Sequence, residues 1–535
     1  MREPQEILPQ HSGKVAHLCQ GIGERRHLIL ASNRGPVEFR QTAAGNLVPV
    51  RGSGGLVTAL GALSRYLSLS WVAAALSEGD QLAARFAGKD GFLSPFPQQH
   101  LRLRFVTPPK EAYHRYYNLF SNPVLWFLQH SMWDRLSDSY PDSVLNDAWQ
   151  NGYALVNRAF ADAVADVARR DDRPPLIMLH DYHLYLAPLL IRARLPGAFL
   201  HQFVHIPWPE PNHWQTLPSH MRRAICRGLL CNDIVGFQTM RSARDFMRTV
   251  QCYLEDVSVD LHSGTISDGP RVTYVRAYPV SVDVSALRQA VATREVKEYR
   301  HRLRKLAGDQ TIIRVDRLDP SKNIVRGFQA FDLLLRQRRD LHGRVRFLAF
   351  LVPSRTKIPE YRRYADQVMT AAEQINQSHG RDGWQPVQVF FEDNYPQALA
   401  AMTLYDVLLV SPLADGMNLV AKEGPVVNRR DGVVVLSKMA GAHAQLQEAV
   451  LSIEPTDVIG MAASLGAALD MPTARRRALA VRLREIVERQ DLMYWLHSQF
   501  SDINAILQRA PVPVHSYSTA KGRVHFGRPV PLPLS

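Results

Sequence analysis

Cysteine is scarce in this chain: four occur among 535 residues, Cys19, Cys226, Cys231 and Cys252, with no Cys-x-x-Cys pair. A disulfide scaffold and a thiolate zinc framework are thereby excluded, and the four thiols read as reduced. Long apolar runs are absent as well. Nothing approaches the roughly 18–20 residues of a membrane-spanning helix, and Glu3 and Glu6 stand where a secretory signal would carry its apolar core. The expectation is a cytoplasmic protein with no membrane partner. Several familiar motifs are missing: a Gly-x-x-x-x-Gly-Lys-Ser/Thr phosphate loop, a His-Glu-x-x-His zinc helix and a Gly-x-Ser-x-Gly elbow. Gly52-Ser53-Gly54-Gly55 lacks the last glycine of the dinucleotide fingerprint. These absences count against a nucleoside triphosphatase, a dehydrogenase, a zinc protease and a serine hydrolase.

What is present is an ordinary globular composition, 46% hydrophobic and 21% charged, in a length that suits about three domains or two large ones. The 64 Lys and Arg outnumber the 50 Asp and Glu, giving a net charge of +14. Such a balance suits nucleic acid, an anionic membrane or acidic small molecules. No recognition helix, zinc finger or aromatic RNA-binding signature accompanies it, so nucleic acid is not expected as a partner. Short apolar runs predict strands at 27–31, 71–74, 175–179, 199–204, 233–237, 274–280, 311–315, 346–352, 387–391, 406–410 and 433–437. Helical patterns lie between them, at 145–169, 219–230, 323–338, 359–376 and 472–489. Continuous apolar strands alternating with helices imply parallel sheets covered on both faces, an α/β architecture. Eleven strands exceed one comfortable sheet, and the charge-rich helical stretch 281–310 separates two strand-dense halves, so a boundary is placed near 280. Residues 1–26 and 511–535 read as flexible tails.

Four polar constellations follow predicted strands, where open α/β folds bind ligands. The first is Ser32-Asn33-Arg34-Gly35-Pro36, with Gly52-Ser53-Gly54-Gly55 opening a helical pattern. Glycines there allow close backbone approach, and a helix N-terminus suits a phosphate, although such loops are also simple turns. The second is His180-Asp181-Tyr182-His183 with His205-Ile206-Pro207-Trp208-Pro209, which serves either a ligand crevice or a structural role. Its histidines lack the company a metal site would need, and none is expected. The third, Arg317-Leu318-Asp319-Pro320-Ser321-Lys322-Asn323, places a planar fork and a mobile point charge five residues apart, suited to a diphosphate or to a solvated basic turn. The fourth runs from Asp415-Gly416-Met417-Asn418 through Leu419-Val420-Ala421-Lys422-Glu423, a glycine turn opening a helix, with a carboxylate able to accept two ribose hydroxyls.

In order, these stretches and Tyr116-Tyr117-Asn118, Trp126 and Pro353-Ser354-Arg355 resemble the trehalose-6-phosphate synthase family over about 27–507. The resemblance implies a retaining glycosyltransferase of GT-B fold, two Rossmann-like domains facing a cleft. It implies an acceptor domain over 27–280, a nucleotide-sugar domain over 281–490 and a helix over 491–510 returning to the first domain, between tails 1–26 and 511–535. Glucose 6-phosphate would be held by Arg34, Tyr117 and Arg355 at its phosphate and by Trp126 and Asp181 at its sugar. The donor, GDP- or UDP-glucose, would lie against Gly54, Gly55, His205, Arg317, Lys322, Asp415, Gly416, Met417, Asn418, Leu419, Val420 and Glu423. The residues nearest the chemistry would be Asp181, His205, Arg317, Lys322 and Asp415. The resemblance implies no metal and no cofactor, front-face attack with a leaving phosphate oxygen taking the proton, and leaves a homo-oligomer open.

The chain departs from the family pattern at Ala414, often Arg, at Pro320-Ser321-Lys322-Asn323, where Tyr-Ser-Lys-Gly is usual, and at Thr356-Lys357-Ile358. The Ser-Asn-Arg-Gly-Pro-Val and His-Ile-Pro-Trp-Pro wording resembles actinobacterial members, some of which use GDP-glucose. The alternatives are a glucosylglycerol-phosphate synthase, a pseudo-glycosyltransferase joining cyclitols, and a silent regulatory paralogue.

Overall fold

A computed structural model describes residues 12–42, 45–51, 60–88, 91–96, 100–132, 141–381 and 383–509. Its strands are, in chain order, β1 (His27–Ser32), β2 (Val37–Gln41), β3 (Leu47–Arg51), β4 (Leu69–Ala74), β5 (Leu101–Val106), β6 (Pro175–His180), β7 (Phe199–Val204), β8 (Ile234–Phe237), β9 (Ser258–Asp260), β10 (Thr265–Asp268) and β11 (Arg271–Ala277). The second half adds β12 (Gln310–Arg317), β13 (Val345–Val352), β14 (Val387–Phe391), β15 (Val407–Val410), β16 (Val433–Ser437) and β17 (Leu451–Ile453). Every strand expected from an apolar run is there. β1, β4 and β7 are buried at all six positions, as strands covered on both faces must be.

Among the described residues there are two large sheets and a β2–β3 hairpin. The first sheet runs β5-β4-β1-β6-β7-β8-β11-β10-β9, parallel as far as β11 and antiparallel at β10 and β9. The second runs β14-β13-β12-β15-β16-β17 and is parallel throughout. In each, the chain winds outward from a central strand one way and then the other, so strand order reverses between β1 and β6 and again between β12 and β15. A crevice opens at such a switch point beyond the carboxyl ends of the strands. The four polar constellations sit at those ends, directly after β1, β6, β12 and β15.

Between the sheets the chain runs through the helices Val284–Ala292 and Arg294–Leu306. The last helix, Leu492–Arg509, returns to the first sheet. Its Leu492 N–H donates to Val282 O at 3.0 Å, Trp495 Nε1 donates to Tyr278 O at 3.1 Å, and the Trp495 ring packs edge-on against Phe203. The reading of 1–26 as a tail needs correction over Ser12–Gly23. That stretch is a helix burying Val15, Cys19 and Ile22 and packing on the last helix. Its apolar stripe is three residues long, and the last helix on which it packs lies almost 500 positions away. Residues 511–535 and the Gly52 to Gly55 loop lie outside the described residues.

Candidate active site

Ser32 ends β1 and ties its loop down: its Oγ donates to Arg34 O at 2.7 Å and accepts Trp71 Nε1 at 2.8 Å. Asn33 is buried and accepts two phenols at Oδ1, Tyr113 at 3.1 Å and Tyr116 at 3.2 Å. Arg34 is thereby left exposed, beside Tyr113 and without an ion pair to any other described residue. Tyr113 and Tyr116 come from consecutive helical segments, the second of which, Arg115–Trp126, is wound in wide i→i+5 turns around Pro123. Such widened turns reorient side chains and are often found at functional sites. Here they carry Tyr117, stacked between Tyr113 and His183 at 5.7 and 5.8 Å, and Trp126.

Trp126 joins the two halves of the molecule. Its Nε1 donates to Asp319 Oδ1 at 3.3 Å, across from the β12 loop. Arg355 lies over its ring at 3.8 Å, His130 stacks on it at 3.9 Å, and Arg317 approaches within 5.2 Å. The Asp319 side chain is wholly buried. It accepts Arg355 Nη1 at 2.9 Å, Tyr361 OH at 3.2 Å and its own loop's Ser321 N–H at 3.0 Å. Burial alone would raise its carboxyl, but Arg355 and Arg317 outweigh that and hold it at about 2, so it stays ionised. Arg355, at a left-handed φ of 48°, also donates to Tyr361 OH and, at 3.2 Å, to Tyr182 OH.

After β6 comes Asp181, whose φ of 73° is unusual for a residue other than glycine and marks strain of order 1–3 kcal/mol. The conformation is held by its N–H on Phe203 O at 2.7 Å and by Gln202 Nε2 on its own carbonyl at 2.9 Å. Its carboxylate accepts the His205 N–H at 3.2 Å. Burial nevertheless raises the carboxyl to about 6. The imidazoles around it are neutral for the same reason: burial lowers His183 and His205 to about 3 and His180 well below its usual value.

In the second half, buried Arg314 braces the β12 loop by donating to Asp316, Ser411 and Lys322 O. Lys322 in turn pairs with Asp415, which also accepts Asn418 Nδ2 at 3.0 Å. Burial would raise Asp415, yet Lys322 prevails and keeps it below the usual range. Gly416 is a glycine for want of space: a Cβ there would stand 1.8 Å from His205 O, where the β15 loop meets the β7 loop. Asn418, at φ 73°, turns the chain into the helix Val420–Val427 and accepts the Ala421 N–H at 3.2 Å. Met417 is buried, while Leu419 and Val420 are half-exposed at the helix mouth. Glu423 follows one turn in, with its carboxyl raised to about 7 by burial.

The structure therefore brings Arg34, Tyr117, Trp126, Asp181, His205, Arg317, Lys322, Arg355, Asp415 to Val420 and Glu423 to the facing ends of the two sheets. Gly54 and Gly55 lie outside the described residues. Sequence reasoning missed Asp319 as a hub, Tyr361 and His130. Asp319 stood inside a motif whose basic residues drew attention, whereas Tyr361 and His130 carry no local signal at all. Among the described residues no group of three potential metal ligands occurs, and no helix is long and apolar enough to cross a membrane.

Residues 26–505 match glycosyltransferase family 20. A bifunctional trehalose-6-phosphate synthase/phosphatase of Thermoproteus tenax is 33% identical over 88% of this chain, which spans 62% of that protein's length. A trehalose-6-phosphate synthase of Cronobacter sakazakii is 31% identical, the match covering 90% of this chain and 96% of that one. A validamine 7-phosphate valienyltransferase of Streptomyces hygroscopicus is 27% identical over 89% of this chain and 94% of its own. Among solved structures, an E. coli trehalose-6-phosphate protein bound with UDP-2-fluoro glucose superposes with a TM-score of 0.76, at 25% identity over 89% of this chain and 98% of that one. A UDP-forming α,α-trehalose-phosphate synthase from Burkholderia xenovorans in complex with glucose-6-phosphate gives 0.75, at 27% identity over 89% and 100%.

Proposed function

Since the chain belongs to glycosyltransferase family 20 and is a GT-B glycosyltransferase of the trehalose-6-phosphate synthase kind, we propose that it transfers glucose from GDP- or UDP-glucose to glucose 6-phosphate, yielding α,α-trehalose 6-phosphate. The observation that carries this reading is the meeting of four ligand-type loops at two facing switch points, with Gly416 seated under His205 O so that the donor and acceptor loops abut.

In this reading the half up to about 280 holds the acceptor. Arg34 and Tyr117 donate to its phosphate, and that dianion competes with Asp319 for Arg355. The same displacement lifts Arg355 from the Trp126 ring and frees an indole face for the pyranose, so phosphate capture and sugar stacking are one event. Asp181 accepts a sugar hydroxyl beside the reacting carbon.

The half from 281 to 490 holds the donor. Arg317, Lys322 and the N–H groups at the start of the helix Val420–Val427 surround the diphosphate, Asp415 and His205 meet the transferred glucose, and Glu423 accepts the ribose hydroxyls. Breaking the glycosidic bond puts negative charge on the departing diphosphate. Cations and helix N–H groups fixed there stabilise the transition state more than the ground state, and a leaving phosphate oxygen accepts the acceptor's proton. Attack from that same face retains the α configuration.

The Burkholderia xenovorans synthase named UDP-forming and the UDP-2-fluoro glucose complex support a uridine donor. Similarity to the valienyltransferase supports a second reading, a cyclitol pair in place of two sugars. Incubation of the purified chain with a panel of nucleotide sugars and glucose 6-phosphate, with products identified by mass spectrometry and anomeric NMR, decides among these. No product from any glucose donor sinks the proposal.

A further inference from the structure

The imidazole of His205 is held at both of its nitrogens. Nε2 lies 3.2 Å from His180 Nδ1, and Nδ1 lies 3.4 Å from Gln238 Nε2. Which nitrogen carries the proton is decided two contacts away. Gln238 is buried, and its Oε1 accepts the backbone N–H of Val280 at 2.9 Å. A backbone N–H can only donate, so the amide cannot be turned round, and its NH₂ must face His205. An NH₂ can also only donate. His205 Nδ1 is therefore the acceptor, and the proton of the neutral ring sits on Nε2, directed at His180 Nδ1. His180 then carries its own proton on Nε2, a buried atom with no other partner among the described residues.

The Val280 peptide that sets this arrangement is gripped from the other half of the molecule. The Nζ of Lys422, buried in the helix Val420–Val427, donates to Val280 O at 2.7 Å. One chain of polar contacts thus runs from the donor-side helix through Val280 and Gln238 to His205 and His180.

We propose that Gln238 is a positioning residue for the transfer reaction: held by the Val280 peptide, it fixes His205 as the Nε2–H tautomer, so that His205 meets the transferred sugar as a hydrogen-bond donor. This rests on His205 lying beside the donor sugar, as argued above. The Nε2–H that His205 directs at the fully buried His180 is the ring's one donor, and it is shared with an oxygen of the sugar that settles beside the ring.

The test is long-range ¹H–¹⁵N correlation of the full chain carrying ¹⁵N-histidine, with the His205 signals identified from their loss in His205→Asn. Expected is a protonated Nε2 and a bare Nδ1 in the wild type. In Gln238→Glu, where a carboxylate can only accept, the proton should move to Nδ1. In Gln238→Met, where neither group remains, both tautomers should appear, which keeps the test decisive if the glutamate variant does not fold. A wild-type His205 protonated on Nδ1, or a tautomer unchanged in a folded Gln238 variant, overturns the proposal. In kinetics, Gln238→Glu should raise KM for the nucleotide sugar about tenfold and leave that for glucose 6-phosphate within about twofold. Equal weakening of both substrates would instead mark a structural role and overturn it. The tautomer is read without turnover, so a wild type inactive with every glucose donor would defeat the assigned reaction and leave the result on Gln238 standing.

Discussion

Arg34 owes its exposure to the residues on either side of it, which Ser32, Asn33 and Gly35 hold against β4 and the tyrosines. If it grips a phosphate, Arg34→Ala should lower kcat/KM for glucose 6-phosphate ten- to a hundredfold, the scale of about 1.5–3 kcal/mol for a hydrogen bond to a charged group. Unchanged acceptor kinetics would remove Arg34 from the site. Asp319 is a different kind of residue, a wholly buried anion whose worth lies in what it neutralises. Its removal in Asp319→Ala strands Arg355, with an expected loss of about 3–5 kcal/mol in urea unfolding. Its folded carboxyl sits at about 2, below the unfolded value. The stability it supplies is therefore complete above pH ~4 and is lost as the pH falls toward 2, so wild type and Asp319→Asn should converge in stability as the pH drops through that window.

The helix Val420–Val427 sets side by side two groups that burial pushes toward neutrality from opposite directions, Lys422 lowered to about 7 and Glu423 raised to about 7. If Glu423 accepts the ribose hydroxyls, it must be ionised to accept both. The diphosphate of a nucleotide sugar does not titrate near neutrality, so donor affinity measured by calorimetry without acceptor should rise with pH through about 7. Glu423→Gln should be flat. Burial of Lys422 acts on folding instead: the unfolded chain binds the extra proton between about 7 and 10.5, so this residue makes stability rise with pH over that range. At the loop before the helix, Gly416→Ala has no room for its Cβ against His205 O and should cost turnover at least tenfold while the far-UV spectrum stays native. These elements also show what a sequence discloses. β1, β12 and β15 were legible because strands buried on both faces must be continuously apolar. β5, Leu-Arg-Leu-Arg-Phe-Val, was not, because an edge strand alternates, and β9 and β10 are too short and polar to register. The site divides the same way. Turns after strands announce themselves by glycine, asparagine and charge, whereas Tyr361, which meets Asp319 from a helix 42 residues on, is visible only once the chain is folded.

Across the whole molecule, if the two anionic substrates proposed for it are its own, the charge of +14 acts on them as a field. Raising ionic strength from about 0.05 to 0.5 M should lower kcat/KM for both several-fold through slower capture, with little change in kcat. A salt-independent kcat/KM would confine the charge to solubility. The path of the backbone has its own effect. The chain passes from the first sheet to the second near Val280 and comes back at Leu492, and the two passages are bonded to each other where the Leu492 N–H meets Val282 O. Trp495 on Tyr278 O seals the same spot, so Trp495→Ala should cost about 3–5 kcal/mol. Two tethers fastened at one place define a hinge, so movement of one half against the other is expected to turn about this spot. Arg355, Trp126 and Asp319 join the halves like a latch, and if an acceptor phosphate draws Arg355 away as proposed, that turn should loosen.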